Sequence, residues 1–179
     1  MATNLKVDAK RIREILGEVK RLAAEYYQLT GKPLGVTGEV AEYIAADLLK
    51  LELVPPRTAG YDAIRRTKEG VQHIQIKGRA YGDNATPNQR MGTIKKGAAC
   101  DSVILVLMDN KTLNPREIWE APMTAVDRRL LMPGSKARDR GALGVPEFKR
   151  LAVKIWPVDR PPTSSTAGSA RESRRRETS

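Results

Sequence analysis

Cysteine, histidine and aromatic residues are scarce in this chain of 179 residues. A single cysteine, Cys100, excludes an intrachain disulfide and a zinc site built on cysteines. A single histidine, His73, excludes His–His pairs and any Ser-His or Cys-His triad on another histidine. Aromatic residues make up 4% of the chain, so its core is expected to be aliphatic. The absence of a long apolar run or signal segment favours a cytoplasmic protein with no membrane partner.

Positive charge is in excess, with 32 Lys and Arg against 21 Asp and Glu and a formal net charge of +11. The last twenty residues hold five arginines and two glutamates, so most of the excess lies in the rest of the chain. A basic body favours a polyanionic partner, most often nucleic acid. The alternative is a basic protein that has no such partner.

Apolar periodicity and turn residues divide the chain into three parts. Residues 1–30 carry an N-terminal amphipathic helix, residues 31–158 form an α/β domain, and residues 159–179 are expected to be a disordered basic tail. The predicted elements are helices over 8–29, 38–50, 122–132 and 146–156, and strands over 51–54, 62–67, 71–77, 102–108 and 117–121. The fold class is therefore α/β, a mixed β-sheet flanked by helices with an extra N-terminal helix.

The predicted hairpin carries the candidate chemistry. Side chains alternate in an extended strand, so Gln75 and Lys77 point one way while Ile74 and Ile76 point into a core. Asp62 on the neighbouring strand can then meet both polar side chains. A carboxylate, an amide oxygen and an ammonium that converge on one spot suggest a divalent-metal site that handles phosphate.

Magnesium in such a site needs oxygen ligands and open positions. Asp62 is the main candidate ligand, and the Gln75 side-chain oxygen and the Ile76 backbone carbonyl can complete the protein half of the shell. Lys77 can stabilise developing charge and lower the pKa of the attacking water. Glu42, from the preceding helix, can hold a metal-bound water or a second ion.

A family resemblance follows from the segments Gly60-Tyr61-Asp62 and Ile74-Gln75-Ile76-Lys77, behind a helix that carries Gly38 and Glu42 ahead of Leu49. Over roughly residues 37–108 the chain resembles the PD-(D/E)XK nuclease superfamily, the fold of restriction endonucleases and Holliday-junction resolvases. The resemblance implies a restriction-endonuclease-like fold and Mg²⁺- or Mn²⁺-dependent hydrolysis of phosphodiester bonds in DNA, in defence or repair. It also implies an active site of four residues, namely Glu42, Asp62, Gln75 and Lys77. Glu39 competes with Glu42 for the helix position.

Two departures from the family pattern bear on activity. Tyr61, not proline, precedes Asp62, and Gln75 stands where most members have a glutamate. The branch that is similar to methylation-dependent restriction enzymes uses a QxK triplet. Glutamine keeps the ligand oxygen but removes a negative charge, so metal affinity should fall. Two readings stay open: a working nuclease, and an inactive nucleic-acid-binding module on the same fold.

Ordinary structural roles compete with each of these assignments. Asp62 could cap a turn, Gln75 and Lys77 could form the solvent face of a strand, and Cys100 is expected to be buried and inert. Basic side chains in the later loops are candidates for contact with a phosphate backbone. These are Arg79, Arg90, Lys95 and Lys96 after the hairpin, and Lys136, Arg138 and Arg140 further on. A third reading is an interaction protein that uses its N-terminal helix to form a homodimer or to bind a protein partner.

Overall fold

The computed structural model describes residues 8–31, 34–55, 58–82, 86 and 89–158. The predicted tail, residues 159–179, lies outside this range. The helices are α1 (Ala9–Thr30), α2 (Thr37–Leu49), α3 (Met123–Leu131), α4 (Lys136–Asp139) and α5 (Val145–Lys149). The strands are β1 (Glu52–Leu53), β2 (Ala63–Thr67), β3 (Gly70–Ala80), β4 (Ser102–Met108), β5 (Pro115–Pro122) and β6 (Val153–Trp156). None of the described helices is both long enough and apolar enough to cross a membrane.

The strands form one mixed sheet in the order β1-β2-β3-β4-β5-β6. Only β3 and β4 run parallel, and every other neighbouring pair is antiparallel. All seven residues of β4 are buried, as their unbroken apolar sequence predicts for a central strand covered on both faces. The expected mixed α/β sheet flanked by helices is confirmed.

Two hydrophobic clusters cover the two faces of the sheet. The first contains Ile74 and Ile76 of β3 with Ala41 and Ala45 of α2, and α1 joins it through the buried Ala23. The second lies on the opposite face. It contains residues of β4 and β5, the loop residues Met91 and Ile94, and apolar residues of α3 and α5. Gln75, Lys77 and Arg79 are on this second face, because side chains alternate along β3.

Helix α1 begins where the sequence predicts. The Asp8 carboxylate accepts a hydrogen bond from the Arg11 backbone N–H at 3.0 Å and caps the first turn. The domain covers only part of the apolar residues of α1, because Ala23 is buried whereas Leu22 is 48% exposed and Leu29 is 80% exposed. An ion pair between Arg13 of α1 and Asp47 of α2 joins the two helices at the surface.

The prediction of a last helix over residues 146–156 is wrong beyond Lys149. The helical segment α5 ends at Lys149, and residues Val153–Trp156 pair with β5 as the edge strand β6. The apolar residues of this segment fit helical spacing but pack on different faces of the sheet. Phe148 and Leu151 join the second cluster, whereas Ile155 packs against the first. Only a chain that turns and crosses the sheet edge can place them on both sides.

Candidate active site

Strands β2 and β3 separate at one end of their hairpin and leave a fork in the sheet. The last paired residues at this end are Ala63 and Ile74, whereas β3 continues to Ala80 beside β4. Helix α2 packs over this part of β3. A Cβ atom on Gly78 would lie 2.3 Å from the Thr37 carbonyl oxygen, so only glycine allows this close approach. Gly78 therefore sets the position of α2 and of its acidic side chains.

Asp62 lies in the fork, one residue before β2 begins. Its backbone N–H donates to the Ile74 carbonyl at 2.9 Å, and its Oδ2 accepts a hydrogen bond from the Ile76 N–H at 2.7 Å. The chain reaches this position through Gly60, whose φ of +97° favours glycine. These contacts hold the Asp62 carboxylate against β3 and occupy one of its two oxygens.

The Ile76 carbonyl also faces the fork. In an antiparallel ladder the N–H and C=O of one residue point to the same neighbouring strand. Because the Ile76 N–H points to Asp62, the Ile76 carbonyl points to the same side. This is the direction that its predicted role as a backbone ligand requires.

Gln75 carries an unusual buried oxygen. Gln75 lies between Ile74 and Ile76, whose backbone groups both bind Asp62, so it lies next to the fork. Gln75 is only 8% exposed, and its Oε1 has no hydrogen-bond partner among the residues that the structure describes. A buried acceptor without a partner costs about 1–3 kcal/mol and is uncommon in folded proteins. Next to the fork, such an oxygen is a candidate ligand.

Lys77 lies two residues further along the same face of β3. It is half-buried, and the loop after β3 approaches its aliphatic stem, since a Cβ on Gly92 would lie 3.6 Å from Lys77 Cδ. Packing against this loop therefore restrains the aliphatic part of the Lys77 side chain, which lies between Gln75 and Arg79 along the strand.

Glu42 on α2 completes the acidic part of the site. Burial raises the pKa of the Glu42 carboxyl, the negative charges of Asp62 and Glu39 raise it further, and the positive charge of Lys77 opposes them. Glu42 is thus an electrostatic neighbour of both Asp62 and Lys77. Glu39 is exposed in the first turn of α2, whereas Glu42 is half-buried.

The candidate oxygen donors around the fork are two carboxylates, an amide oxygen and a backbone carbonyl, of which Glu42 comes from the face of the sheet that α2 covers and Gln75 from the other face. Among the described residues, no group of three or more His, Cys, Asp and Glu side chains is placed to hold a metal ion. A cation in the fork would therefore be shared between acidic and neutral oxygens. Hard oxygen donors of this kind suit Mg²⁺ and Mn²⁺ better than softer metals.

An aromatic pair borders the site beside β3. The ring centroids of Tyr61 and His73 lie 4.4 Å apart. The His73 backbone N–H donates to Asp101 Oδ2 at 2.6 Å, and His73 Nδ1 lies 3.6 Å from the same oxygen. Strand alternation predicts that His73 shares a face with Gln75, but the Asp101 contact depends on the parallel pairing of β3 with β4.

Cys100 was missed as a neighbour of the site. Burial raises the pKa of its thiol, and the negative charges of Asp101, Asp127 and Asp62 add to this effect. A hydrogen bond with the Gln75 backbone acts in the opposite direction. Cys100 precedes β4 in the sequence, and only the parallel pairing of β4 with β3 brings it to Gln75.

The four predicted phosphate-binding residues occupy different environments. Arg79 is half-buried on β3, and its Nε is buried without a hydrogen-bond partner in the described part of the chain. Arg90 forms an isolated β-bridge with Gly144. Lys95 and Lys96 are exposed and line a shallow pocket of about 380 Å³.

Arg138, one of the later basic residues, has a structural role. Its guanidinium forms an ion pair with Glu147 at 2.8 Å and donates to the Pro133 carbonyl at 2.7 Å. Only 12% of its side chain is exposed. Arg138 therefore stabilises the segment between α3 and α5, and its charge is already neutralised by Glu147.

No protein-family model and no curated protein matches this chain. The function is therefore inferred from the residues themselves and from the geometry of the fork.

Proposed function

We propose that the protein is a Mg²⁺- or Mn²⁺-dependent nuclease that hydrolyses phosphodiester bonds in DNA, on a restriction-endonuclease-like fold. The observation that carries the proposal is the buried Oε1 of Gln75, which has no hydrogen-bond partner among the described residues, on the strand whose Ile76 N–H binds Asp62. A strand residue that serves only to fill space would be apolar here, because a buried unsatisfied oxygen destabilises the fold. The carboxylates of Asp62 and Glu42 carry like charges that repel each other. Together with a buried oxygen of this kind, they fit a divalent cation.

Four groups would hold the cation: the Asp62 carboxylate, the Gln75 amide oxygen, the Ile76 carbonyl and the Glu42 carboxylate. The raised pKa of Glu42, caused by burial and by the charge of Asp62, supports this set. A positive charge in the fork would compensate both effects. When bound, the cation supplies Lewis-acid polarisation of the phosphate and a lower pKa for the attacking water.

The remaining chemistry belongs to the side chains of the chain itself. The Lys77 ammonium stabilises the negative charge that develops on the phosphate oxygens in the transition state. Glu42, an electrostatic neighbour of Asp62 and Lys77, would orient a water molecule bound to the cation. The Ile76 N–H fixes the orientation of the Asp62 carboxylate.

The charge distribution supports DNA as the substrate. The chain carries a formal net charge of +11, and the exposed Lys95 and Lys96 lie on the loop that follows β3. Such residues attract a phosphate backbone without reading its sequence, so binding should weaken steeply as salt increases. Arg79 lies near the end of β3, and Arg90 lies in the loop that follows it.

The test is cleavage of supercoiled plasmid and branched DNA with Mg²⁺ or Mn²⁺, using wild type, Asp62→Ala and Lys77→Met. Lys77→Met keeps the four oxygen donors and the apolar stem, so it isolates the ammonium group. We expect metal-dependent cleavage by wild type and at least a 100-fold loss in each variant, about the effect of removing one transition-state donor. Equal activity in all three preparations would identify a contaminating nuclease and contradict the proposal.

A second candidate is DNA binding without catalysis, and the neutral amide of Gln75 favours it. One negative charge fewer lowers the affinity of the fork for a cation. This candidate predicts salt-sensitive DNA binding that survives Asp62→Ala and does not respond to metal. Cleavage that depends on Lys77 would exclude it.

A further inference from the structure

A cavity of about 420 Å³ opens between the first turn of α1, the last turns of α2 and the strand β1. Apolar side chains from all three elements line it, with Ile12 from α1, Ala46 from α2 and Leu53 from β1. Helix α1 meets the core further along its length, at the buried Ala23, and leaves this space at its N-terminal end. The volume is that of a small-molecule site, since such sites occupy about 300–1,000 Å³.

The charged groups of this α1–α2 cavity leave one positive charge in excess. Arg13 and Asp47 both line it, and they neutralise each other in an ion pair at 3.0 Å. Lys50 lines it as well, and its ammonium group forms no ion pair or hydrogen bond in the described part of the chain. Apolar walls beside an unpaired cation suit a ligand that has an apolar body and a negative charge.

The backbone of Lys50 gives a second, independent sign of a binding role. Lys50 follows the last residue of α2 with φ +57° and ψ +44°, the left-handed conformation for which glycine is preferred at the end of a helix. Its N–H donates to the Ala46 carbonyl and closes the helix, which glycine would do without the steric cost of a Cβ atom. Strained residues of this kind concentrate at ligand-binding sites.

We propose that the α1–α2 cavity binds a small hydrophobic anion, an aliphatic or aromatic carboxylate, with its apolar body against Ile12 and Leu53 and its charge at Lys50. The ligand contacts α1, α2 and β1 together, so it stabilises the docking of α1 on the domain. None of the four groups proposed to hold the cation lines this cavity. The inference is therefore independent of the proposed nuclease activity, and its test has no bearing on that activity.

The probe is anilinonaphthalene sulfonate, a hydrophobic anion whose fluorescence increases in an apolar site. N-phenylnaphthylamine has the same ring system without the sulfonate and is the neutral control. We expect saturable binding of the anion by the wild-type protein, weaker binding of the neutral compound, and displacement of the anion by octanoate. Equal affinity for the two probes would mean that no cation takes part, and would overturn the inference.

Lys50→Gly separates a binding role from a structural role. Glycine relaxes the left-handed conformation, so the unfolding midpoint without ligand should rise. Loss of the ammonium group should weaken binding of the sulfonate about 10- to 100-fold, the effect of one hydrogen bond to a charged group, and change binding of the neutral probe little. Lys68→Met is the matched control. It removes an equal charge from the exposed β2–β3 turn and should leave both affinities unchanged.

Ala46→Met tests the location of the site, because the longer side chain fills the cavity and keeps Lys50 in place. We expect it to weaken binding of both probes, and thermal unfolding confirms that the variant is folded. Lack of saturable binding by the wild-type protein would overturn the inference. An affinity for the sulfonate that is unchanged in Lys50→Gly would overturn it as well, whatever the behaviour of Ala46→Met.

Discussion

Replacing Gln75 with methionine should stabilise the protein when no metal is present. Methionine has nearly the same length and volume as glutamine and an equally unbranched stem, so it can fill the same space. The substitution removes the buried Oε1 that has no hydrogen-bond partner. Most core substitutions destabilise a protein, so a gain in stability here would be diagnostic.

The size of the effect follows from the burial of this one group. Gln75 is 8% exposed, so its amide oxygen bears nearly the full cost of an unsatisfied acceptor, about 1–3 kcal/mol. For a domain of this size, 1 kcal/mol shifts the unfolding midpoint by about 2–4 °C. We therefore expect Gln75→Met to raise the midpoint in EDTA by about 2–12 °C.

The assay is thermal unfolding in EDTA and in millimolar Mg²⁺ or Mn²⁺, followed by circular dichroism. Gln72→Met is the matched control, because Gln72 lies on the same strand but is exposed. Surface substitutions change stability by no more than about 0.5 kcal/mol, so the control should unfold with wild type. Metal should stabilise wild type more than Gln75→Met, because a ligand that binds only the folded state stabilises it by mass action.

A midpoint for Gln75→Met at or below that of the control in EDTA would refute this reasoning. It would mean that the Gln75 amide is satisfied inside the fold. Gln75→Glu offers a further check: an added carboxylate should lower the midpoint in EDTA and enlarge the rise that metal produces.

Three further predictions concern the elements around the site. Gly78→Ala should destabilise the protein by about 1–3 kcal/mol in chemical denaturation and reduce metal binding, because its Cβ would displace α2. The control Gly38→Ala places its Cβ in open space and should be neutral or stabilising. Glu147→Gln should cost about 1–3 kcal/mol of stability at pH 7. Burial raises the pKa of the Glu147 carboxyl, but the Gly144 N–H, Arg129 and Arg138 lower it by more, so the pKa is below its ordinary value. That stability is present above the ordinary glutamate pKa and is lost as pH falls through the lowered folded value, so the two proteins should converge in acid-unfolding curves once the pH is below that value. Ala23→Asp should destabilise the protein and Leu29→Asp should not, in urea titrations, because Ala23 is 2% exposed and Leu29 80% exposed.

The hairpin and the central strand could be predicted because their signals are local. The turn Lys68-Glu69-Gly70 and the alternation from Val71 to Lys77 need no tertiary information, and they predict the hairpin of β2 and β3, although β3 continues to Ala80 beyond the predicted end at Lys77. The run Ser102–Met108 is entirely buried, as its apolar sequence indicates. Period-2 alternation also puts Gln75 and Lys77 on one face of the sheet.

Burial and pairing between distant segments could not be predicted in the same way. The sequence permits Gln75 to face solvent, whereas the structure buries it on the face of the sheet that also carries the loop residues Met91 and Ile94. This loop is held in turn by a hydrogen bond of 2.9 Å from the Ile94 N–H to the Gly141 carbonyl, across more than forty residues. Residues 146–156 failed as a helix for a related reason, since Phe148 and Ile155 pack on opposite faces of the sheet.

The most direct test of the central claim is the position of a bound cation. An anomalous difference map would be measured from crystals soaked in Mn²⁺ at a concentration that supports the cleavage assay. We predict a peak in the fork within about 2.0–2.4 Å of an Asp62 carboxylate oxygen, Gln75 Oε1 and the Ile76 carbonyl oxygen, the distances that Mg²⁺ and related hard cations prefer. A map without density between Asp62 and Gln75, or one with its peak away from both, would contradict the account.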